Sequence, residues 1–159
     1  MIIYLGSDHQ GFKLKEHLFQ ILKNRGYDVV DVGNYQYDEN DDYPDFASKV
    51  AWGVSQNFET AKGIVICGSG VGVDVVANKF INVRCSLCFS PDQAFDARND
   101  DDANILALPA KFLTIDQVLK IVNIWLMTSF SGSERHSQRI KKIQILESKM
   151  IQPIEQDEL

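Results

Sequence analysis

The sequence lacks long apolar runs and clustered basic residues, and it has little cysteine. Its longest apolar runs are too short to cross a bilayer, and the start MIIYLGSDHQG has neither the basic region nor the cleavage site of a secretory signal, so we expect a cytoplasmic protein. Lys and Arg number 16 against 22 Asp and Glu, giving a net charge of −6 without a basic stripe. Because phosphate backbones are bound through clustered cations, we expect neither nucleic acid nor a membrane as a partner.

Cysteine is scarce, with three residues in 159. A small, odd number in a chain of this size disfavours a disulfide framework. Cys85 and Cys88 form a C-x-x-C, but the segment VRCSLCF around them has the apolar pattern of a strand, in which positions three apart point to opposite faces. We therefore interpret both as buried structural thiols and predict no metal site.

Short apolar runs alternate with amphipathic segments over a length natural for one domain, without repeats or a linker. The predicted strands are 2–7, 27–33, 63–68, 83–89 and 104–109. Helical patterns follow at 11–26, 45–57, 72–80, 90–98 and 114–130, with Ser90 and Thr114 as N-caps, and a last helix is predicted for about 133–150 before a disordered tail at 151–159. This order predicts one α/β domain over residues 1–159, with a five-stranded parallel sheet in a three-layer α/β/α sandwich.

Two polar turns follow predicted strands, at the edge of a parallel sheet where ligands usually bind. In CGSGVG, Gly68, Gly70 and Gly72 can turn backbone N–H groups inward beside a helix start, an arrangement that holds a phosphate or a developing oxyanion. The alternative is a tight turn that binds nothing. A nucleotide-binding domain is a weaker alternative, in which Asp31 could hold a ribose. The glycine loop is not followed by the Gly-Lys-Ser/Thr of a Walker motif, and Val73 occupies the place of the last glycine in G-x-G-x-x-G.

Cys67 ends the third predicted strand beside these N–H groups, where a helix start favours the thiolate form. It is a candidate nucleophile or base, with a buried structural cysteine as the alternative. In the other polar turn, SDHQG, Asp8 and His9 are candidate functional residues. Near the C-terminus, Arg135 and Arg139 lie on one face of a predicted helix and suit a phosphate, unless they belong to a solvated basic face.

Five sequence blocks occur in an order and at intervals that resemble one known family. The blocks are GSDHQGFKLK, DYPDFA, GIVICGSGVGVDVVANK, DANILAL and RHSQR, and the resemblance runs from Ile3 to about Ile143. The chain resembles the ribose-5-phosphate isomerase B family, which includes the galactose-6-phosphate isomerase subunits. The resemblance implies a Rossmann-like fold and aldose–ketose isomerisation of a phosphorylated sugar, ribose 5-phosphate by default, without metal or cofactor. It also implies a homodimer or heterodimer, or a tetramer of such dimers, with sites built from both chains at the interface.

The resemblance also assigns roles to residues. In many members a cysteine at the position of Cys67 is the base that moves a proton between C1 and C2 through an enediolate, whereas other members place a glutamate at the position of Val73. The N–H groups of the glycine loop would stabilise the oxyanion, and the Ser69 hydroxyl would bond a substrate oxygen. The positions that match substrate-binding residues are Asp8, His9, Tyr43, Gly68, Gly70, Val71, Gly72, Val73, Lys111, Arg135, His136 and Arg139, the last three of them at the phosphate.

The block RNDDDAN departs from the family, which has a histidine there that opens the sugar ring, followed by an asparagine. Asp100 stands in place of the histidine and Asp101 in place of the asparagine, while Asp74 and Pro109 are further departures. We expect Asp100 to take over the catalytic role, unless ring opening is left to solution. Because extra carboxylates repel an anionic sugar, the alternatives are galactose 6-phosphate, another unusual sugar phosphate, or a catalytically weak subunit that binds a sugar phosphate and pairs with an active paralogue.

Overall fold

The computed structural model describes residues 1–151, in which five strands alternate with helices. The strands are β1 (Ile2–Ser7), β2 (Asp28–Asp31), β3 (Ala61–Cys67), β4 (Cys85–Leu87) and β5 (Ile105–Pro109). The helices are α1 (Phe12–Asn24), α2 (Tyr43–Gln56), α3 (Val71–Ala77), α4 (Pro91–Asn99), α5 (Ile115–Met127) and α6 (Glu134–Ile151). Of the tail predicted for 151–159, residues 152–159 lie outside the described residues.

The five strands form one parallel sheet in the order β2-β1-β3-β5-β4, which confirms the predicted sheet. The central strands β3 and β5 are nearly continuous apolar runs, as expected for strands that are covered on both faces. In register, Cys67 at the end of β3 pairs with Pro109, and Gly63 near its start pairs with Ile105. The last residues of β1, β3 and β5 therefore share one edge, called here the carboxyl edge of the sheet.

Helices cover both faces of this sheet, because side chains alternate along each strand. Ile64 and Ile66 pack with buried residues of α1, α4 and α5 on one face. Val65 and Cys67 pack with buried residues of α2 and α3 on the other face. These two clusters are the core of the three-layer α/β/α sandwich that the sequence predicts. Within residues 1–151, no helix is long and apolar enough to span a membrane.

Helix starts agree with the predicted caps, whereas some ends differ. Ser90 and Thr114 are N-caps, and each side chain accepts a hydrogen bond from the backbone N–H three residues further on. β4 is shorter than the predicted 83–89, since it is an edge strand that pairs with β5 alone. α3 ends before the predicted residue 80, because the side chain of Asn78 bonds the backbone N–H and C=O of Cys85 instead.

The segments that follow α4 and α5 lie at the opposite end of the sheet, called here its amino edge. α4 starts at the carboxyl edge and ends at Asn99, so residues 100–104 lie at the amino edge, before β5. Accordingly, the N–H of Gly63 donates to the carbonyl of Asn104 at 2.9 Å. α6 starts at the same edge, where the N–H of Ser131 donates to the carbonyl of Asn99 at 3.0 Å.

Candidate active site

Cys67 lies at the carboxyl edge, at the point where β3 turns into α3, and is 4% exposed. The backbone N–H of Gly70 donates to Cys67 Sγ at 3.1 Å. Gly70 reaches this position with a φ of +76°, in the left-handed region that glycine adopts without strain. The turn thus places a backbone hydrogen-bond donor against the sulfur.

Side chains approach the backbone of two other glycines of this loop closely. A Cβ at Gly68 would lie 3.0 Å from Cε of Lys111, and a Cβ at Gly72 would lie 2.7 Å from the ring of Tyr43. The N–H of Lys111 also donates to the carbonyl of Gly68 at 3.0 Å. The fold therefore brings Lys111 and Tyr43, predicted from separate sequence blocks, onto the loop after Cys67.

The remaining loop residues contribute through different groups. Ser69 is exposed, and its hydroxyl accepts from the N–H of Val71 at 3.3 Å. The side chain of Val73 is fully buried in the core beneath α3, so this residue can contact a ligand only through its backbone. The first intrahelical bond runs from Asp74 N–H to the carbonyl of Gly70 at 3.2 Å. The N–H groups of Gly72 and Val73 precede it and are available to an anionic oxygen.

Asp8 and His9 follow β1 at the same edge, next to the end of β3. Asp8 is 6% exposed and accepts a hydrogen bond from the N–H of Gly11 at 3.1 Å. Burial raises the pKa of the Asp8 carboxyl above its usual range, and the bond from Gly11 opposes that shift. The turn therefore holds a carboxyl group that is poorly solvated beside a histidine.

Asp41 is a residue of this site that the sequence does not reveal. One of its carboxylate oxygens, Oδ1, accepts the backbone N–H of His9 at 2.8 Å and lies 2.7 Å from His9 Nδ1. The other, Oδ2, accepts from the side-chain amide of Asn34 at 2.8 Å. The hydrogen bond to Asp41 raises the pKa of His9, with a smaller opposing effect of burial. No motif marks Asp41, which stands in an acidic run, DENDD, 32 residues from His9.

A second group of predicted residues lies at the amino edge. Asp100 Oδ1 accepts from the side chain of Asn99 at 2.7 Å and lies 3.5 Å from Nδ1 of His136 in α6. The same Nδ1 is 2.9 Å from the hydroxyl of Ser131. Asp101 is exposed, and its carbonyl accepts from Nε of Arg84 at 2.9 Å. Arg135 and Arg139 are exposed near the start of α6 and make no ion pair within residues 1–151.

The predicted site is therefore divided within one chain. Cys67 is level with Pro109, whereas Asp100 precedes Ile105, the first residue of β5. Four residue steps along a parallel strand separate these two levels, or about 13 Å. A single copy of the chain thus does not bring the group around Cys67 together with the group around Asp100.

The other cysteines differ from Cys67 in their surroundings. Burial raises the pKa of Cys85 well above its usual range and that of Cys88 to about 12, so both remain thiols at neutral pH. They pack on opposite faces of the sheet, as the strand pattern predicts. Burial also raises the pKa of Asp74. Within residues 1–151, no three His, Cys, Asp or Glu side chains are grouped to hold a metal ion.

Comparison with known proteins identifies the class. The family model described as Ribose/Galactose Isomerase matches residues 3–143, so the chain belongs to that family, as the sequence blocks indicate. The chain is 45% identical to the probable ribose-5-phosphate isomerase B of Mycoplasma genitalium over 141 residues, covering 89% of this chain and 92% of the relative. It is 38% identical to ribose-5-phosphate isomerase B of Escherichia coli K12 over 147 residues, covering 92% and 97%.

Solved structures agree with this assignment. The Mycoplasma genitalium enzyme, crystallised with bound ribulose 5-phosphate, matches with a TM-score of 0.91 at 43% identity, covering 93% of this chain and 97% of that one. Ribose-5-phosphate isomerase B of Clostridium thermocellum matches with a TM-score of 0.89 at 42% identity, covering 94% and 99%. The α/β fold is therefore that of ribose-5-phosphate isomerase B structures.

Proposed function

We propose that this chain is an aldose–ketose isomerase that interconverts ribose 5-phosphate and ribulose 5-phosphate, with Cys67 as the base. The observation that carries the proposal is the N–H of Gly70 held 3.1 Å from Cys67 Sγ, at the carboxyl edge of a sheet. The relatives named ribose-5-phosphate isomerase B, and the neighbour with bound ribulose 5-phosphate, support this choice of substrate.

The reaction needs a proton moved between two carbons of the open-chain sugar. The Cys67 thiolate removes the proton from C2, the C2–H electrons form the C1–C2 double bond, and the aldehyde oxygen becomes an oxyanion. The thiol then returns the proton to C1, and the C2 hydroxyl becomes the ketone as its proton passes to O1. We assign stabilisation of the cis-enediolate to the hydroxyl of Ser69 and the N–H groups of Gly72 and Val73.

A complete site requires two copies of the chain, and we propose a homodimer. Arg135 and Arg139 lie one helical turn apart in α6 and are exposed, which suits bidentate binding of a phosphate. They belong to the amino edge, away from Cys67 of the same chain. The arrangement supports a site in which one copy contributes Asp8, His9, Tyr43, Lys111 and the glycine loop, and the other contributes Asp100, Asp101, Arg135, His136 and Arg139.

Ring opening is assigned to Asp100 together with His136. Opening a furanose breaks the bond between C1 and the ring oxygen, protonates that oxygen and removes the O1 proton. The Asp100 carboxylate lies 3.5 Å from Nδ1 of His136, a neighbouring side chain that can also carry a proton. The proposal therefore gives ring opening two adjacent groups and not Asp100 alone.

The test is turnover of ribose 5-phosphate and of galactose 6-phosphate by the purified protein, with Asp100→Asn compared alongside. We expect faster turnover of ribose 5-phosphate and at least a 10-fold loss in the Asp100 variant, as is typical for loss of a general acid–base group. Turnover of galactose 6-phosphate alone would instead support the second candidate in the family. A folded protein that turns over neither sugar would contradict the proposal and favour a subunit that needs an active paralogue.

A further inference from the structure

We propose that Asp41 is a positioning residue that holds His9 by Nδ1, so that Nε2–H of His9 becomes a fixed cationic donor to the phosphate of the substrate. This inference rests on the proposed function, because it concerns the same anionic substrate. His9 is assigned to substrate binding through a sequence block, but Asp41 belongs to none of the residues so assigned.

The contact between Asp41 and His9 is held by several hydrogen bonds. Asp41 Oδ1 receives two groups of His9, the backbone N–H at 2.8 Å and Nδ1 at 2.7 Å, and these fix both the ring and its main chain. Asn34 donates to Oδ2 at 2.8 Å, so both carboxylate oxygens have partners. The side chain of Asp41 is 6% exposed and that of His9 is 21% exposed. The carboxylate is therefore buried, whereas part of the histidine side chain remains exposed.

This arrangement sets the protonation of the ring. A carboxylate only accepts hydrogen bonds, so Nδ1 carries a proton, and Nε2 is the nitrogen left for a ligand. The groups that face His9 are the carboxylates of Asp41 and Asp8 and the Tyr37 ring, which is nearly perpendicular to the imidazole with its centroid 6.4 Å away. The hydrogen bond that His9 donates to Asp41 raises the pKa of His9, and the charge of Asp8 acts in the same direction. Both nitrogens are thus protonated over a wider pH range than in a free histidine.

A positive charge on His9 offsets the negative charge of the carboxylates at the carboxyl edge. The carboxyl edge carries the buried Asp8 and the acidic segment 38–42, both of which repel a sugar phosphate. Burying Asp41 against His9 turns one of those carboxylates into the partner of a positive donor. Because the phosphate is charged before the reaction as well as during it, His9 acts on binding, and its loss is expected in KM.

The experiment is an NMR titration of the His9 ring protons in wild type, Asp41→Asn and the control Asp38→Asn, with inorganic phosphate as the probe. Asn keeps the size of Asp41 and removes its charge, whereas Asp38 is exposed in the same loop and bonds Asn40, not His9. We expect the pKa of His9 to fall in Asp41→Asn, because the largest cause of its rise is removed, and to stay near the wild-type value in Asp38→Asn. Phosphate should raise the pKa of His9 in wild type and much less in Asp41→Asn.

The kinetic part separates positioning from general damage. For Asp41→Asn we expect KM for ribose 5-phosphate to rise about 10-fold with kcat changed less than about threefold, as for loss of one charge-assisted hydrogen bond. As pH increases through the raised pKa of His9, the ring loses its charge and KM of the wild type rises. In Asp41→Asn this rise starts at lower pH. Asn34→Ala, which removes a bond to Asp41 without removing charge, should shift both quantities in the same direction by less.

An unchanged His9 titration in a folded Asp41→Asn protein would overturn the inference, as would a fall in kcat at constant KM. The titration and its response to phosphate need no turnover, so they test the inference even if ribose 5-phosphate is not the substrate. Failure of the proposed function shows as no turnover by wild type with the His9 response to phosphate intact.

Discussion

The backbone N–H of Gly70 points at the sulfur of Cys67, 3.1 Å away, and it does so because Gly70 has a φ of +76°. The donor is fixed by the backbone and needs no side chain to be ordered when substrate binds. A base held in this way is organised before the reaction begins, which is how fixed dipoles contribute to catalysis. The conformation of one glycine is thus tied to the chemistry proposed for its neighbour.

Gly70→Ala should lower both stability and activity. The new Cβ would clash with Cδ1 of Leu87 and lie 3.2 Å from the backbone of Leu108, at a φ that L-residues rarely adopt. We expect a loss of about 2 kcal/mol or more in the free energy of unfolding, with turnover reduced further because the N–H moves off Cys67. Gly26→Ala is the control, since its φ is +84° with open space around the Cβ, and it should lose only about 1 kcal/mol. Denaturant unfolding of both variants checks this, and equal losses would contradict it.

Two inactive variants should restore activity when combined. Cys67→Ala removes the proposed base at the carboxyl edge, and Arg139→Ala removes a proposed phosphate ligand at the amino edge. Coexpression gives mixed dimers in about half of the molecules, each with one complete and one doubly defective site, so we expect about a quarter of wild-type activity. A matched control combines Cys67→Ala with Ser69→Ala, which belong to the same edge and should restore nothing. Absence of activity in the first mixture would show that each site is built within one chain.

Lys62 should make the protein more stable as the pH rises from about 8. Burial lowers the pKa of Lys62 from its ordinary 10.5 to about 8, with a further contribution from Arg98. Between these two values the folded protein has released a proton that the unfolded chain still holds, so the free energy of unfolding increases with pH. Lys62→Met should remove that increase and be more stable than wild type below pH 8, as measured by urea unfolding across pH 7–10. The exposed Lys49→Met is the control, and an unchanged pH slope in Lys62→Met would contradict the assignment.

The order of strands and helices could be predicted because each segment carries its own signal. The apolar runs of β3 and β5 have no polar face, and Ser90 and Thr114 mark helix starts, so local pattern and fold agree. The rule that ligands bind at the carboxyl ends of parallel strands then points to Cys67, Asp8 and His9. All of this information lies within a few residues of the feature that it predicts.

Contacts between distant segments could not be predicted in this way. Asp41 is 32 residues from His9 in a run of acidic residues, and nothing in their order distinguishes the one that folds onto the histidine. Asp100 is separated from Cys67 because α4 runs from the carboxyl edge back to the amino edge of the sheet. Matching sequence blocks along the chain does not show this separation. The burial of Val73 depends on which face of α3 meets the sheet.

The most direct measurement is proton NMR of ribose 5-phosphate incubated with the protein in deuterated water, for wild type, Cys67→Ala and Cys85→Ala. If Cys67 moves a proton between C1 and C2 through an enediolate, wild type and Cys85→Ala will form ribulose 5-phosphate, with deuterium at C1 wherever the proton on Cys67 exchanges with solvent before it is returned. Cys67→Ala will show neither product nor exchange. Deuterium exchange in Cys67→Ala at the wild-type rate would contradict the central claim and assign the base to another residue.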